Sequence, residues 1–237
     1  MNKPYNLQGA RIIIRRLFRH DTKIITECFN DYGQLFFSPV SEDFINRIFP
    51  EGEVWGAFVN NRIIACSYLY PLDCKLSEET KRYSQLTDFI ADPSEYLMAG
   101  YIGIHHRNFK ECIPDEKAGA VCCNMYKAFL NTAEMQAFRR GKRFVVHCTP
   151  VKLSCCLPQI FNCGYKLVKM RGLEKLVVHY IFTKSVYTPV VHIQQKGESC
   201  RVAQSNTKAL SRFLEDGYCA FDILKDGSEN IFLLENQ

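Results

Sequence analysis

Along most of this chain, short apolar blocks alternate with polar stretches, and the spacing inside each block predicts its element. "ARIIIRRLF" predicts a first strand, after which His20 or Asp21 can cap a helix over residues 22–30. Ser41, followed by "EDFINRIF" with acids in the first turn, predicts a second short helix. "EVWGAFVNNRIIACSYLY" is the strongest hairpin signal, because Asn60-Asn61 tolerates positive φ between two β-rich runs. Residues 71–95 are polar and helix-prone, and are expected to lie over one end of the sheet, where a substrate lid could be built.

The middle of the chain carries the densest pattern. "YLMAGYIGIHH" reads as a strand covered on both faces, ending in His105 and His106. In "DEKAGAVCCNMYKAFLNTAEMQAFRRGKR", Gly119 is expected at a helix opening. Cys122, Met125, Tyr126, Phe129, Leu130, Ala133 and Ala137 then repeat at three- and four-residue spacing, as an apolar stripe on a helix must. Arg139 and Arg140 fall in the last turn and Gly141 follows as a stop. "RFVVHCTP" predicts the next strand, "LPQIFNCGYKLV" a short helix running into another, and "EKLVVHYIFTK" an alternating strand that closes the core near Lys184. The remaining residues, 185–237, hold strand-like segments ("TPVVHIQQ", "YCAFDIL", "NIFLLE") around a helix-like "TKALSRFLEDGY", with a turn at Asp226-Gly227. They are expected to form an appended subdomain, giving a division into 1–184 and 185–237.

A strand followed by a glycine-opened helix has a chemical meaning, because unpaired amides and the positive dipole end of a helix receive phosphate groups. The plainer reading of Gly119 is an ordinary loop glycine before a helix.

The order strand, glycine turn, helix, strand, helix and "FNCGY" resembles the GNAT superfamily of acyl-CoA-dependent N-acyltransferases. "EKAGAVCCNMYKAFL" is similar to its pyrophosphate turn and helix. "LPQIFNCGYKLV" is similar to its final motif of the form Leu-Tyr-Glu-Lys-x-Gly-Phe, with Gly164 and Tyr165 in place of Gly-Phe. The resemblance covers about residues 11–184. It departs from the family at the turn, where one glycine stands and no arginine leads, and at the motif tyrosine, which Ile160 and Phe161 do not replace. Ten residues, "NFKECIPDEK", also lie between the strand end and the turn.

The resemblance implies an α/β (α+β) fold with a mixed, mostly antiparallel central sheet flanked by helices and a small C-terminal extension. It implies an N-acetyltransferase that moves an acetyl group from acetyl-CoA to an amine, whether a lysine, an N-terminus, an amino sugar or a small polyamine. Acetyl-CoA is then expected against Ile104, His105, Lys117, Ala118, Gly119, Ala120, Val121 and Ser154. His105 or His106 is the expected base, since an imidazole titrates near neutrality. Tyr165 is the first candidate acid, with Tyr126, Tyr101 and Cys163 behind it; the plain reading of each tyrosine is a packed ring with its hydroxyl satisfied. The competing class is a non-catalytic module of the same fold that binds a protein or nucleic acid. A third possibility is another acyl or aminoacyl donor on the same scaffold.

Composition narrows the choice only a little. Lys and Arg number 30 against 25 acids, a net +5 that allows an anionic ligand without requiring one. Two basic clusters stand out, Arg11, Arg15, Arg16 and Arg19, and Arg139, Arg140, Lys142 and Arg143. The second could meet phosphates or simply close a helix end, and neither is interleaved with aromatics as a single-strand binder would be. Twelve cysteines lie largely within apolar runs, as core residues of a reducing, cytoplasmic compartment would. No run approaches a membrane span.

Other chemistries lack a signature. The histidine and cysteine pairs are adjacent, so their side chains diverge, and no C-x-x-C occurs; no metal site is expected. A cysteine nucleophile with His147 or His179 has no surrounding motif. There is no Walker loop and no G-x-G-x-x-G.

Overall fold

The computed structural model describes residues 4–7, 10–33, 40–74, 87–152, 154–173, 177–187 and 199–236. Their strands form an eleven-stranded sheet in the order β1-β2-β3-β4-β5-β6-β8-β7-β10-β11-β9. Strands β1 (Pro4–Leu7), β2 (Ala10–Leu17), β3 (Glu53–Val59), β4 (Arg62–Pro71) and β5 (Tyr96–Ile104) pair antiparallel in sequence. β6 (Phe144–Pro150) is parallel to β5, and β8 (Val177–Ser185) lies between β6 and β7 (Lys166–Leu173), antiparallel to both. The sheet is thus mixed and mostly antiparallel, as the sequence led one to expect.

Helices α1 (Thr22–Gly33) and α2 (Glu42–Ile48) cover one face, burying Ile25, Cys28, Phe29, Phe44, Ile45 and Ile48 against Val54, Tyr68, Met98 and Val146. The Ser41 side chain accepts from Phe44 N at 3.1 Å, fixing the start of α2 where its sequence placed it. On the other face lie α4 (Asp115–Arg139) and α5 (Leu157–Asn162), with α3 (His106–Cys112) leading into α4. α4 buries Met125, Phe129, Leu130, Ala133 and Ala137 along its stripe. It stops at Gly141 (φ +69), where Lys142 N reaches back to the Ala137 carbonyl at 2.9 Å. α5 ends in the same way at Gly164 (φ 82), with Tyr165 N on the Ile160 carbonyl. The Asn60-Asn61 turn has φ of 49° and 60°, the left-handed pair that a two-residue hairpin needs.

Two elements differ from the sequence reading. Gly119 does not open a helix: α4 starts at Asp115 behind Pro114, and Gly119 lies inside it on an exposed face where an added Cβ would meet nothing within 4 Å. Pro114 and the two following acids, not the glycine, are the start signal. The segment "NFKEC", expected as a lengthened loop, is part of α3, whose Phe109 is buried beside Ile113. β5 accordingly stops at Ile104, and the two histidines lie beyond it.

The C-terminal strands β9 (Cys200–Ala203), β10 (Tyr218–Asp226) and β11 (Glu229–Asn236), with α6 (Thr207–Glu215), extend the same sheet, β10 meeting β7 at Ala220↔Leu167. Phe232 packs edge-on to Phe161 and Tyr180, so this part shares its core with the β7–β8 end. "TPVVHIQQ" lies mostly outside the described residues, as does 75–86 within the expected lid.

Candidate functional site

The parallel pair β5–β6 opens partway along its length. Four rungs join the strands, from Tyr96↔Phe144 to Ala99↔His147, and then pairing ends. β5 continues to Ile104 bonded only to β4, and β6 continues to Pro150 bonded only to β8. The opening coincides with a bulge: Ala99 pairs with Leu69 and Ile102 with Ser67, so β5 carries one residue more than β4 across Gly100 and Tyr101. Ser67 Oγ donates to the Gly100 carbonyl at 3.3 Å, compensating an acceptor the bulge displaces. A fork between two central strands is therefore built into the backbone.

His147, at the last rung, bridges the base of the fork. Its Nδ1 lies 2.9 Å from the Ala99 carbonyl oxygen and its Nε2 lies 2.5 Å from Tyr126 Oη on α4. A carbonyl can only accept, so Nδ1 carries the proton and Nε2 accepts the hydrogen bond of the phenol. The ring is 1% exposed, and burial, opposed in part by the Ala99 bond, drives its pKa down to about 4 and keeps it neutral. Cys156, before α5, completes this face with its thiol 3.6 Å from Thr149 Oγ1 and its pKa pushed up to about 11 by burial. It is a poor nucleophile there.

The opposite face of the fork looks toward α1 and α2. Tyr101, on the bulge, lies with its ring centroid 6.0 Å from that of the wholly buried His179 on β8, next to Pro150 in the ladder. The end of the β4–β5 connection reaches the same neighbourhood, where Asp88 pairs with Arg171, the cross-strand neighbour of His179.

The residues singled out from sequence are dispersed. His105 caps α3, its Nδ1 accepting from Asn108 N at 3.4 Å, and its ring lies 3.7 Å from both Glu27 and Asp31 of α1. His106 is the first, exposed residue of α3. Ile104 ends β5, and Lys117, Ala118, Gly119, Ala120 and Val121 lie in the first two turns of α4, of which Val121 is buried in the core. Ser154 opens the single turn before α5. Tyr165 sits beyond β8 from the fork, fully buried, its hydroxyl facing Glu134 without closing a hydrogen bond, and burial first, then Glu134, raises its pKa far above the phenol range. Glu134 itself bonds Lys184 at 2.6 Å.

The second basic cluster is largely occupied by carboxylates. Arg140 bonds Glu53 at 2.8 Å, Lys142 bonds Asp73 at 2.9 Å and Arg143 bonds Glu95 at 2.8 Å. Burial would raise the Glu53 pKa, but hydrogen bonds from Arg140 and Trp55 and the charge of Arg16 bring it below the ordinary value. Among the described residues no group of His, Cys, Asp and Glu is arranged to hold a metal ion, none of the twelve cysteines is joined to another, and no helix is long and apolar enough to cross a membrane.

The sequence offers Tyr126 as a candidate acid and His147 as a partner for a cysteine, not the two as a pair. Nothing in their spacing, 21 residues apart, signals that α4 and β6 bring them together.

A diphosphate would find the helix mouths here poorly suited. α3 follows the strand directly, but it is short and its first turn is capped by His105 beside two carboxylates, while the first turn of α4 carries Asp115 and Glu116. The family's glycine cradle for the diphosphate is not formed at Gly119, which lies inside α4 rather than at its mouth.

No family model and no curated protein matches the sequence. The fold does match solved structures. The GNAT domain of PAT from S. lividans is 12% identical with a TM-score of 0.52, covering 78% of this chain and 96% of its own. FeeM, an N-acyl amino acid synthase from uncultured soil microbes, is 10% identical with a TM-score of 0.52, over 76% and 93%. The proposed acetyltransferase yncA from Salmonella typhimurium, solved with acetyl-CoA, is 11% identical with a TM-score of 0.50, over 78% and 99%. With its strand order, its forked parallel pair and these neighbours, the chain has the GNAT fold.

Proposed function

We propose that this protein is an N-acetyltransferase that moves the acetyl group of acetyl-CoA to an amine. The observation that carries the reading is the fork at Ala99↔His147 with its bulge at Gly100 and Tyr101. Acyl transfer needs a gap that admits a thioester between strands and a fixed donor for the developing oxyanion. The end of β5–β6 pairing would supply the gap, and a backbone amide released where β5 leaves register with β4 would supply the donor.

In this reading the amine nitrogen attacks the thioester carbon from the Tyr101–His179 end of the α1–α2 face, the C–N bond forms, and the C–S bond breaks with its electron pair left on sulfur. His179, with Tyr101 against it, is the group on that face suited to take the ammonium proton. Tyr126 donates its hydroxyl hydrogen bond to His147 and so serves to hold the base of the fork. Ile104, the last residue of β5, lies about 16 Å along the strand from Ala99 by strand rise, and His105 and His106 follow it, where the cofactor's far end or the acceptor would pass.

A second reading has its own support. The carboxylates at both helix mouths and the missing glycine cradle favour a non-catalytic module on the same fold. Thermal unfolding with and without millimolar acetyl-CoA separates the two, because a ligand that binds only the folded chain must raise Tm. A rise, followed by CoA release when an amine panel is added, supports the transferase. No shift supports the module.

A further inference from the structure

We propose that Tyr68 sets the acyl length this site accepts, restricting the donor to acetyl and propionyl thioesters. The inference rests on the transferase reading and adds to it a residue placed to bound the acyl group at the base of the fork.

Tyr68 stands on β4, but its ring is laid over β5. A Cβ on Gly100 would lie 2.2 Å from Cε2 and 2.4 Å from Cζ of that ring. Gly100 is the first residue of β5 past the last rung with β6, so the ring covers the very strand that borders the fork at its base. Any side chain at position 100 would displace the ring, and this is why glycine is required there.

The ring has nowhere to retreat. It is 2% exposed, with Phe29 edge-on at 5.5 Å, Phe44 edge-on at 6.0 Å and Tyr70 stacked at 5.9 Å behind it. On the same face, Met98 of β5, Cys148 of β6 and Ile181 of β8 are also buried to 1% or less. The other face of the fork base is filled by His147 and Tyr126. An acyl group seated with its carbonyl at the bulge can therefore extend only toward the α1–α2 face, and there it meets a close-packed aromatic wall. A packed interior does not take extra methylenes without displacing side chains. One methylene too many in such a pocket discriminates by roughly tenfold or more.

The test is the dissociation constant of the full chain for acetyl-, propionyl-, butyryl- and hexanoyl-CoA, measured by calorimetry, which needs no knowledge of the acceptor. Acetyl- and propionyl-CoA are expected to bind alike, and butyryl- and hexanoyl-CoA at least about tenfold more weakly. Tyr68→Phe keeps the ring and should keep the cut-off. Tyr68→Leu shortens the wall while remaining apolar, and should bring butyryl-CoA close to acetyl-CoA. Equal affinity for hexanoyl- and acetyl-CoA in the unaltered chain overturns the proposal whether or not the leucine variant folds. So does a folded Tyr68→Leu variant with an unchanged series. If neither CoA nor any thioester binds, the transferase reading fails and this inference with it, a result distinct from binding without discrimination.

Discussion

Tyr126 on α4 and His147 on β6 share a hydrogen bond of 2.5 Å, and through it a helix is tied to the last rung of a ladder that then opens. The imidazole takes the place of a further rung, since its Nδ1–H satisfies the Ala99 carbonyl that β6 leaves behind. Removing the phenol strands a buried ring nitrogen. Tyr126→Phe is therefore expected to cost about 1–3 kcal/mol, the price of one unsatisfied buried acceptor, read from urea unfolding. A variant as stable as the parent would show that the nitrogen finds another donor and that the tie is dispensable.

The same ring makes stability depend on pH. A histidine with its pKa lowered to about 4 in the folded chain, from 6.5, binds its proton in the unfolded state first. Between those values the unfolded chain holds more protons, so stability rises with pH through this window and is lost as pH falls from about 6.5 toward 4. The full difference corresponds to about 3 kcal/mol. Unfolding free energies across that range should show the slope in the parent and lose most of it in His147→Asn, whose amide N–H can still meet the Ala99 carbonyl. An equally steep slope in the variant would assign the pH dependence to other groups.

Much of the fold could be read from the chain because its signals are local. Ser41 caps α2, Asn60-Asn61 makes the β3–β4 turn, and the Cys122 to Ala137 stripe lays α4 on the sheet, each decided within a few residues. The site was less legible because its parts are fixed by register. The bulge at Gly100 and Tyr101 appears only when β5 is aligned against β4, and the fork only when β5 is aligned against β6. His105 and His106 drew attention as titratable groups at the end of an apolar run. His105 instead caps α3 through its ring nitrogen, beside Glu27 and Asp31.

Beyond the fork, Glu134 and Lys184 form a nearly buried pair at 2.6 Å, with side chains 21% and 11% exposed. Burial raises the Glu134 pKa, and Lys184 opposes the rise without cancelling it. Glu134→Ala should destabilise by about 3–5 kcal/mol, because it leaves a buried ammonium uncompensated. The double variant Glu134→Leu with Lys184→Met should recover most of that loss. Chemical denaturation of the two variants decides it, and a single variant within 1 kcal/mol of the parent, roughly the surface-pair level, would mean that water reaches Lys184.

If acetyl-CoA lays its diphosphate near the mouth of α4, Asp115 and Glu116 oppose it. Replacing either by its amide removes a like charge from the positive end of the helix, an effect worth about 0.3–1 kcal/mol. Asp115→Asn and Glu116→Gln should then each tighten acetyl-CoA binding by roughly two- to fivefold at low ionic strength, with the gain fading as salt is added. Calorimetric titration at low and high salt is the measurement. Dissociation constants that do not move would place the phosphates away from this helix mouth.

Gly119 allows a cleaner separation of roles. It lies in the exposed body of α4, its φ is not in the left-handed region, and a Cβ there would meet nothing within 4 Å. In such a position glycine only adds freedom to the unfolded chain, so Gly119→Ala should stabilise the protein by about 0.5–1 kcal/mol. A phosphate-cradling glycine would behave oppositely, since the methyl group would stand where the ligand's oxygens approach the backbone. The melting temperature and the acetyl-CoA dissociation constant of this one variant therefore distinguish a helix residue from a cofactor contact: a higher Tm with unchanged affinity fits the geometry of α4, and a higher Tm with binding abolished would return the diphosphate to Gly119.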